Sequence, residues 1–189
     1  MLTKGTNIKI RLNGKIRKIP CRDSRTLLDL LRDDLHMYSV KPGGEDGATG
    51  TCNVLVNYRV VPSSMIFAHQ INLMHVLTLE GIVDDPEFAL LKSCLEKHGA
   101  VDCGFGTPGM IMSIWELILH NPKPTKEEIR EYIDGCLNRS QAYSIVLDAL
   151  VDFFKQLKRK EPVEMQDPLH DKELQIEDDD LPRKKRKSY

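Results

Sequence analysis

The apolar period of the chain changes once, near Asp84, and that change limits the fold more than any other feature. Before it, apolar residues alternate. "NIKIRLNGKIRKI" sets Ile8, Ile10 and Leu12 on one side of an extended segment, and a second such segment follows Asn13-Gly14. Asn-Gly between alternating stretches predicts a tight hairpin, because both residues tolerate positive φ. After Asp84 the apolar residues recur every three or four positions, the spacing of one helix face. The expectation is an α+β chain, with a sheet-containing domain over residues 1–80 and a helical domain over residues 81–160.

In the first domain Ser24 is predicted to cap a helix over "RTLLDLLRDDLHM", where Leu27, Leu28, Leu31 and Leu35 share a stripe. The stretch "KPGGEDGATGTCN", Lys41 to Asn53, is a glycine-rich loop with one cysteine that runs into an apolar strand. So much glycine marks a loop that wraps something or approaches something closely. "CNVLVNYRVVPSSMIFA" and "HVLTLEG" supply a second hairpin and a last strand, giving a small mixed sheet gripping one helix.

In the second domain Pro86 opens "EFALLKSCLEKHG", Gly99 stops it, and Pro108 pins the first turn of "TPGMIMSIWELILHN". Thr125 with Glu128 forms a capping box, and a fourth helix starts near Ser140. Four helices with short connections predict an antiparallel bundle. Trp115, Tyr143, Phe153 and Phe154 sit among aliphatics at helical spacing and are expected in its core.

Residues 161–189 lose the apolar pattern, gather acid in "DKELQIEDDD" and end in "RKKRKSY". A disordered, solvated tail is the expectation, with a nuclear import signal or a segment lying along a partner as alternatives.

A net charge of -1 gives no general attraction to nucleic acid or an anionic membrane. No apolar run reaches transmembrane length, and "MLTKGTNIKIRLNGK" lacks the apolar core of a secretory signal, so a cytoplasmic chain is expected. Cys21, Cys52, Cys94, Cys103 and Cys136 are an odd number with no C-x-x-C pair, which predicts reduced and mostly buried thiols. The histidines His36, His69, His75, His98, His120 and His170 are scattered without metal spacing.

The order of elements, with "LLDLLRDDL", "KPGGEDGATGTCNVLV", "LTLEGI", "HGAVDCGFGTPGMIMS" and "NPKPTKEEIREYIDGCLNRSQAYSIVLDAL", resembles the iron–sulfur subunit of the xanthine dehydrogenase family, the molybdenum hydroxylases. The likeness covers roughly residues 6–157. It implies a β-grasp, [2Fe-2S] ferredoxin-like domain followed by a four-helix bundle that carries a second cluster.

The cluster chemistry is not carried over. By the resemblance, the ligand places of the first cluster fall at Gly44, Thr49, Cys52 and Ser64, and those of the second at Cys103, Gly106, Asn138 and Ser140. One cysteine remains at each. A [2Fe-2S] cluster takes four protein ligands, thiolates or in part imidazoles. Glycine has no side-chain donor, and neutral serine, threonine and asparagine replace thiolate poorly. The glycine loop then has the form of a cluster-wrapping loop without its cluster, left to close over water, the Thr49 side chain or its own backbone. A mononuclear site combining Cys103 and Cys136 with His98 or Asp102 is a weaker alternative, since the spacing matches no standard zinc motif.

No catalytic residue and no metal ligand set is expected in this chain. The resemblance implies a large subunit holding a molybdenum–pterin cofactor as partner, and in many such complexes an FAD-bearing subunit. Three functions stay open: a non-redox structural subunit of such a complex, an electron carrier with an unrecognised metal arrangement, and a standalone binding module. The family sets the stretch equivalent to "DCGFGTPGM" against the pterin, where Asp102 replaces the usual glutamine.

Overall fold

The computed structural model describes residues 6–22, 24–44, 46–101, 103–137, 143–164 and 171–175. Strands β1 (Thr6–Leu12) and β2 (Lys15–Cys21) form the expected hairpin, with Asn13 and Gly14 at φ 47° and 77°. A second antiparallel pair, β3 (Asn53–Val56) and β4 (Arg59–Pro62), turns at Asn57 and Tyr58, also both at positive φ. Strand β5 (His75–Leu77) runs parallel to β1 and antiparallel to β3, giving the order β2-β1-β5-β3-β4.

The helix against this sheet starts later than expected. Its cap is Thr26, whose hydroxyl accepts from the Asp29 amide at 3.1 Å, not Ser24. Helix α1 (Leu27–Asp29) then widens into a π-helical turn over Leu30–Asp34, closed by the Leu35 amide on the Leu30 carbonyl. The widened turn keeps Leu27, Leu28, Leu30 and Leu31 all buried, while Leu35 is only partly so.

The bundle follows the sequence rules closely. Helix α2 (Pro86–Lys97) has Pro86 in its first turn behind an Asp85 cap, α3 spans Thr107–His120, and α4 (Lys126–Asp134) carries the full Thr125–Glu128 capping box. Helix α5 spans Tyr143–Gln156, and the proposed cap Ser140 lies outside the described residues. Trp115 and Phe153 are core residues and Phe154 packs beside them. Tyr143 departs from expectation: it is 38% exposed, with its hydroxyl donating to the Cys136 carbonyl at 2.8 Å.

Two cores meet at β3. Val54 and Val56 belong to the core under α1, and Leu55 points the other way into the bundle core. Alternation across a strand sends successive side chains to opposite faces, so "VLV" can be apolar throughout only if both faces are covered. Helix α3 covers the second face, and Gly109 to Leu119 are buried without a break. A helix apolar all round belongs inside a fold.

Part of the charged tail is folded against the sheet, with Asp171 and Leu174 buried and Lys172, Glu173 and Gln175 exposed. Helix α6 (Lys172–Gln175) lies on β1, with Leu174 1% exposed. The rest of the tail's charge runs, residues 176–189, fall outside the described residues.

Candidate functional site

The glycine loop closes on hydroxyls. The Thr51 hydroxyl donates to the Lys41 carbonyl at 3.1 Å and stands 3.0 Å from the Thr49 hydroxyl. Thr51 has one hydroxyl proton and spends it on the carbonyl, so Thr49 is the donor of the pair. A Cβ on Gly43 would collide with both of these hydroxyl oxygens. Thr51 is buried, and so is Cys52, whose thiol lies 3.3 Å from the Ser64 hydroxyl. Of the four ligand places of this loop, Cys52 and Ser64 therefore meet each other, Thr49 is bonded inside the loop, and Gly44 has no side chain.

The second set lies in the bundle. Cys103 sits before α3, where its sulfur accepts from the Gly106 amide at 3.3 Å and its carbonyl from the Thr107 amide at 3.1 Å. These bonds close the turn that leads into α3, whose own N-cap residue, Gly106, has no side-chain cap. Asn138, Ser140 and Asp102 lie outside the described residues. Cys136 is buried after α4, 3.5 Å from the Ser113 hydroxyl. Burial pushes its thiol pKa up, with the Ser113 hydrogen bond opposing.

The two regions touch. The Leu137 amide donates to the Thr49 carbonyl at 3.1 Å. Gly50, at φ 68°, has Gly135 and Cys136 backbone where a Cβ would stand, and a Cβ on Gly109 would overlap the Gly50 carbonyl. From there one face of α3 runs along the hairpin of β3 and β4. Ser113 accepts from the Asn53 side-chain amide at 2.9 Å, and Glu116 accepts from the Val60 amide at 2.8 Å and from Arg59 at 3.0 Å. His120 then reaches the Tyr58 carbonyl at 3.0 Å. Positions 109, 113, 116 and 120 are three and four apart, so they share one helix face. None of Gly109, Ser113, Glu116 and Thr51 was singled out by the cysteine pattern. The spacing of small and polar residues in an otherwise apolar helix is the signal that marks them.

These groups do not suit a [2Fe-2S] cluster. Two ligand places are glycine, one hydroxyl is committed inside the loop, and each remaining cysteine has a polar neighbour of its own. Among the described residues no three His, Cys, Asp or Glu side chains converge as a metal site requires. His98 pairs instead with Asp152 at 3.2 Å.

Residues 78–151 match the [2Fe-2S] binding domain family. The chain is 40% identical over 136 residues to the nicotinate dehydrogenase small FeS subunit of Eubacterium barkeri, covering 72% of this chain and 87% of that one. It is 34% identical over 153 residues to the nicotine 6-hydroxylase small subunit of Paenarthrobacter nicotinovorans, covering 81% and 92%. Among solved structures, quinoline 2-oxidoreductase from Pseudomonas putida 86 superposes with a TM-score of 0.75 at 28% identity, over 81% of this chain and 96% of that one. The chain belongs to the family of small iron–sulfur subunits of xanthine dehydrogenase-type oxidoreductases. Within that family it lacks an intact set of cluster-forming cysteines.

Proposed function

We propose that the chain is the non-redox small subunit of a molybdenum-hydroxylase-like complex, resting on a large subunit that holds the molybdenum–pterin cofactor. The carrying observation is that the loop of the lost first cluster closes through Thr49 and Thr51 rather than through sulfur ligands. A thiolate standing alone at each former site offers iron one bond in place of four. The fold around the two sites is nevertheless retained, with backbone from both in contact at Gly50 and Gly109.

Apolar residues next in sequence to Cys103 and Cys136 are exposed: Val101, Phe105 and Leu137 at 39%, 45% and 57%. Exposed apolar groups gathered in one region suit a protein partner. The large subunit is the occupant we assign to them. An FAD-bearing third subunit is a further part of the proposal, as is a cytoplasmic location.

The assembly has a chemical consequence. A large subunit whose neighbour accepts no electrons is restricted to reactions without net electron flow, such as isomerisation, hydration or hydroxyl transfer, or it passes electrons to an acceptor of its own. The test is native purification followed by separation of the subunits. A large protein in fixed ratio, with iron and acid-labile sulfide absent from this chain, is the expected result. Stoichiometric iron and sulfide on this chain, with absorption between about 400 and 550 nm, overturns the non-redox reading. A monomer in native extracts overturns the assembly.

A further inference from the structure

The open face of the sheet carries a second, unrelated polar centre. Lys9 and Arg11 of β1 lie on the face opposite Ile8, Ile10 and Leu12, and β5 brings His75 beside them. Asp171 enters this group with its side chain 5% exposed. Arg11 grips both of its carboxylate oxygens, Nε to Oδ2 at 2.6 Å and Nη2 to Oδ1 at 2.9 Å. His75 Nε2 lies 2.9 Å from Oδ2, and the other ring nitrogen is 3.3 Å from the Tyr58 hydroxyl. An ionised carboxylate only accepts, so Nε2 carries the proton and donates. The paired Arg11 holds Asp171 well below the ordinary carboxylate range, against the opposing effect of burial.

The rest of the segment is read as well. Glu173 accepts from Arg11 Nη2 at 2.8 Å, and its backbone carbonyl accepts from Lys9 Nζ at 2.9 Å. Leu174 is fully covered. Asp171 also starts α6, its carbonyl accepting the Leu174 and Gln175 amides at 3.0 and 3.2 Å. Planar two-point capture of a carboxylate, a second acid two residues on and a buried leucine at the next position together specify a short sequence. A buried ion pair with this many partners is a costly arrangement for a segment with no role, because desolvation offsets much of its Coulombic gain.

We propose that Lys9, Arg11, Tyr58 and His75 form a recognition site for an acidic peptide of pattern Asp-x-Glu-Leu, and that the chain's own residues 171–175 are its ligand. The segment acts as a clasp. After α5 the chain passes α2, where Arg159 pairs with Glu87 at 2.7 Å, and then the end of α3, where the Val163 amide donates to the Leu119 carbonyl at 2.9 Å. It then reaches β1. The clasp thus returns the chain from the bundle to the sheet.

The test uses the full-length chain. Asp171→Ala with Leu174→Asp removes the ligand without touching the site, and a fluorescein-labelled peptide "LHDKELQI" is then titrated by anisotropy. The wild-type protein should bind this peptide roughly tenfold or more weakly than the double variant, since a tethered ligand competes at millimolar effective concentration. Adding Arg11→Ala to the double variant should abolish binding. Equal binding by all three proteins, no binding by the double variant, or binding that survives loss of Arg11 each overturns the proposal. In the wild-type chain the Leu174 and Gln175 amides should also exchange at least tenfold more slowly than in Asp171→Ala. Equal exchange in the two proteins overturns the clasp.

Discussion

The two regions that the family resemblance assigns to the clusters, the glycine loop with Cys52 and the stretch around Cys103, differ in how the structure closes them. The first region is turned inward. Its hydroxyls bond to one another and to the loop backbone, Cys52 faces Ser64, and the end of the loop, Gly50 to Cys52, is buried. The second is split. Cys136 is buried against Ser113, while Cys103 closes the turn before α3, between the exposed Val101 and Phe105 in the sequence. A cluster cross-links its loop and screens it from water at once. Where hydroxyls took over, the loop remained closed. Where the one remaining sulfur, Cys103, bonds only the turn before α3, its sequence neighbours Val101 and Phe105 are exposed. The difference separates a region that supports the fold from one that is free to meet a partner.

The seam between the regions should be the most sensitive point. Valine at Gly109 sets a side chain into the Gly50 carbonyl, and neither backbone can withdraw without moving α3 or the glycine loop. Overpacking of this kind costs about 1–3 kcal/mol and sometimes more, and backbone-on-backbone overlap belongs at the upper end. We expect a loss of about 3 kcal/mol for Gly109→Val in urea unfolding, with faster hydrogen exchange in both loops. Gly104, whose Cβ would meet nothing within 4 Å, is the control, and Gly104→Val should change stability by less than about 0.5 kcal/mol. Equal effects at the two glycines would mean that the regions are not coupled.

Thr51→Val tests the inward region alone. It keeps the shape and removes the hydroxyl that links Thr49 to Lys41, while the Lys41 carbonyl keeps the Gly43 amide as a donor at 3.0 Å. A neutral hydrogen bond contributes about 0.5–1.5 kcal/mol, so a loss in that range is expected in the same unfolding assay. The outward region should respond in association rather than in stability. Phe105→Asp adds charge to a patch that the proposed partner would dry, and co-purification of the large subunit should weaken by about tenfold or more, with the melting temperature little changed. If Phe105→Asp unfolds the chain and Thr51→Val does not, the assignment of supporting and contacting regions is reversed.

Local rules carried most of the fold. Asn13-Gly14, Pro86 and the Thr125–Glu128 box each act within a few residues, and each is where the sequence places it. Ser24 and Thr26 present two hydroxyls two residues apart, and local chemistry does not separate them. Thr26 prevails with Asp29 at the matching offset and a bridge to Phe67 across the fold. The site was legible as a set of losses, because ligand spacing is a sequence property. Its replacement was not, since the Thr51 bond depends on how a loop closes over ten residues. The clasp was out of reach altogether: Asp171 finds its partners 160 and 96 positions away, and an acidic run reads as solvated until those partners are known.

The smallest expected effect is the most direct check on whether the second region has given up metal for packing. Cys103 serves α3 through a sulfur that accepts one backbone amide, a task an oxygen performs as well or better. Cys103→Ser should therefore change stability by less than about 0.5 kcal/mol, against the several kcal/mol that loss of a structural metal site removes. Cys136→Ser should cost more, about 1–3 kcal/mol, because burying a hydroxyl in place of a thiol carries a desolvation cost that the Ser113 hydroxyl and the Tyr132 carbonyl offset only in part. Alkylation followed by mass spectrometry gives the same ordering without mutation. Burial both shields the Cys136 thiol and raises its pKa, so at neutral pH it should label well after Cys103. Addition of a chelator before labelling should leave both rates unchanged. Chelator-dependent exposure of Cys136 would mean that a metal still holds the bundle closed.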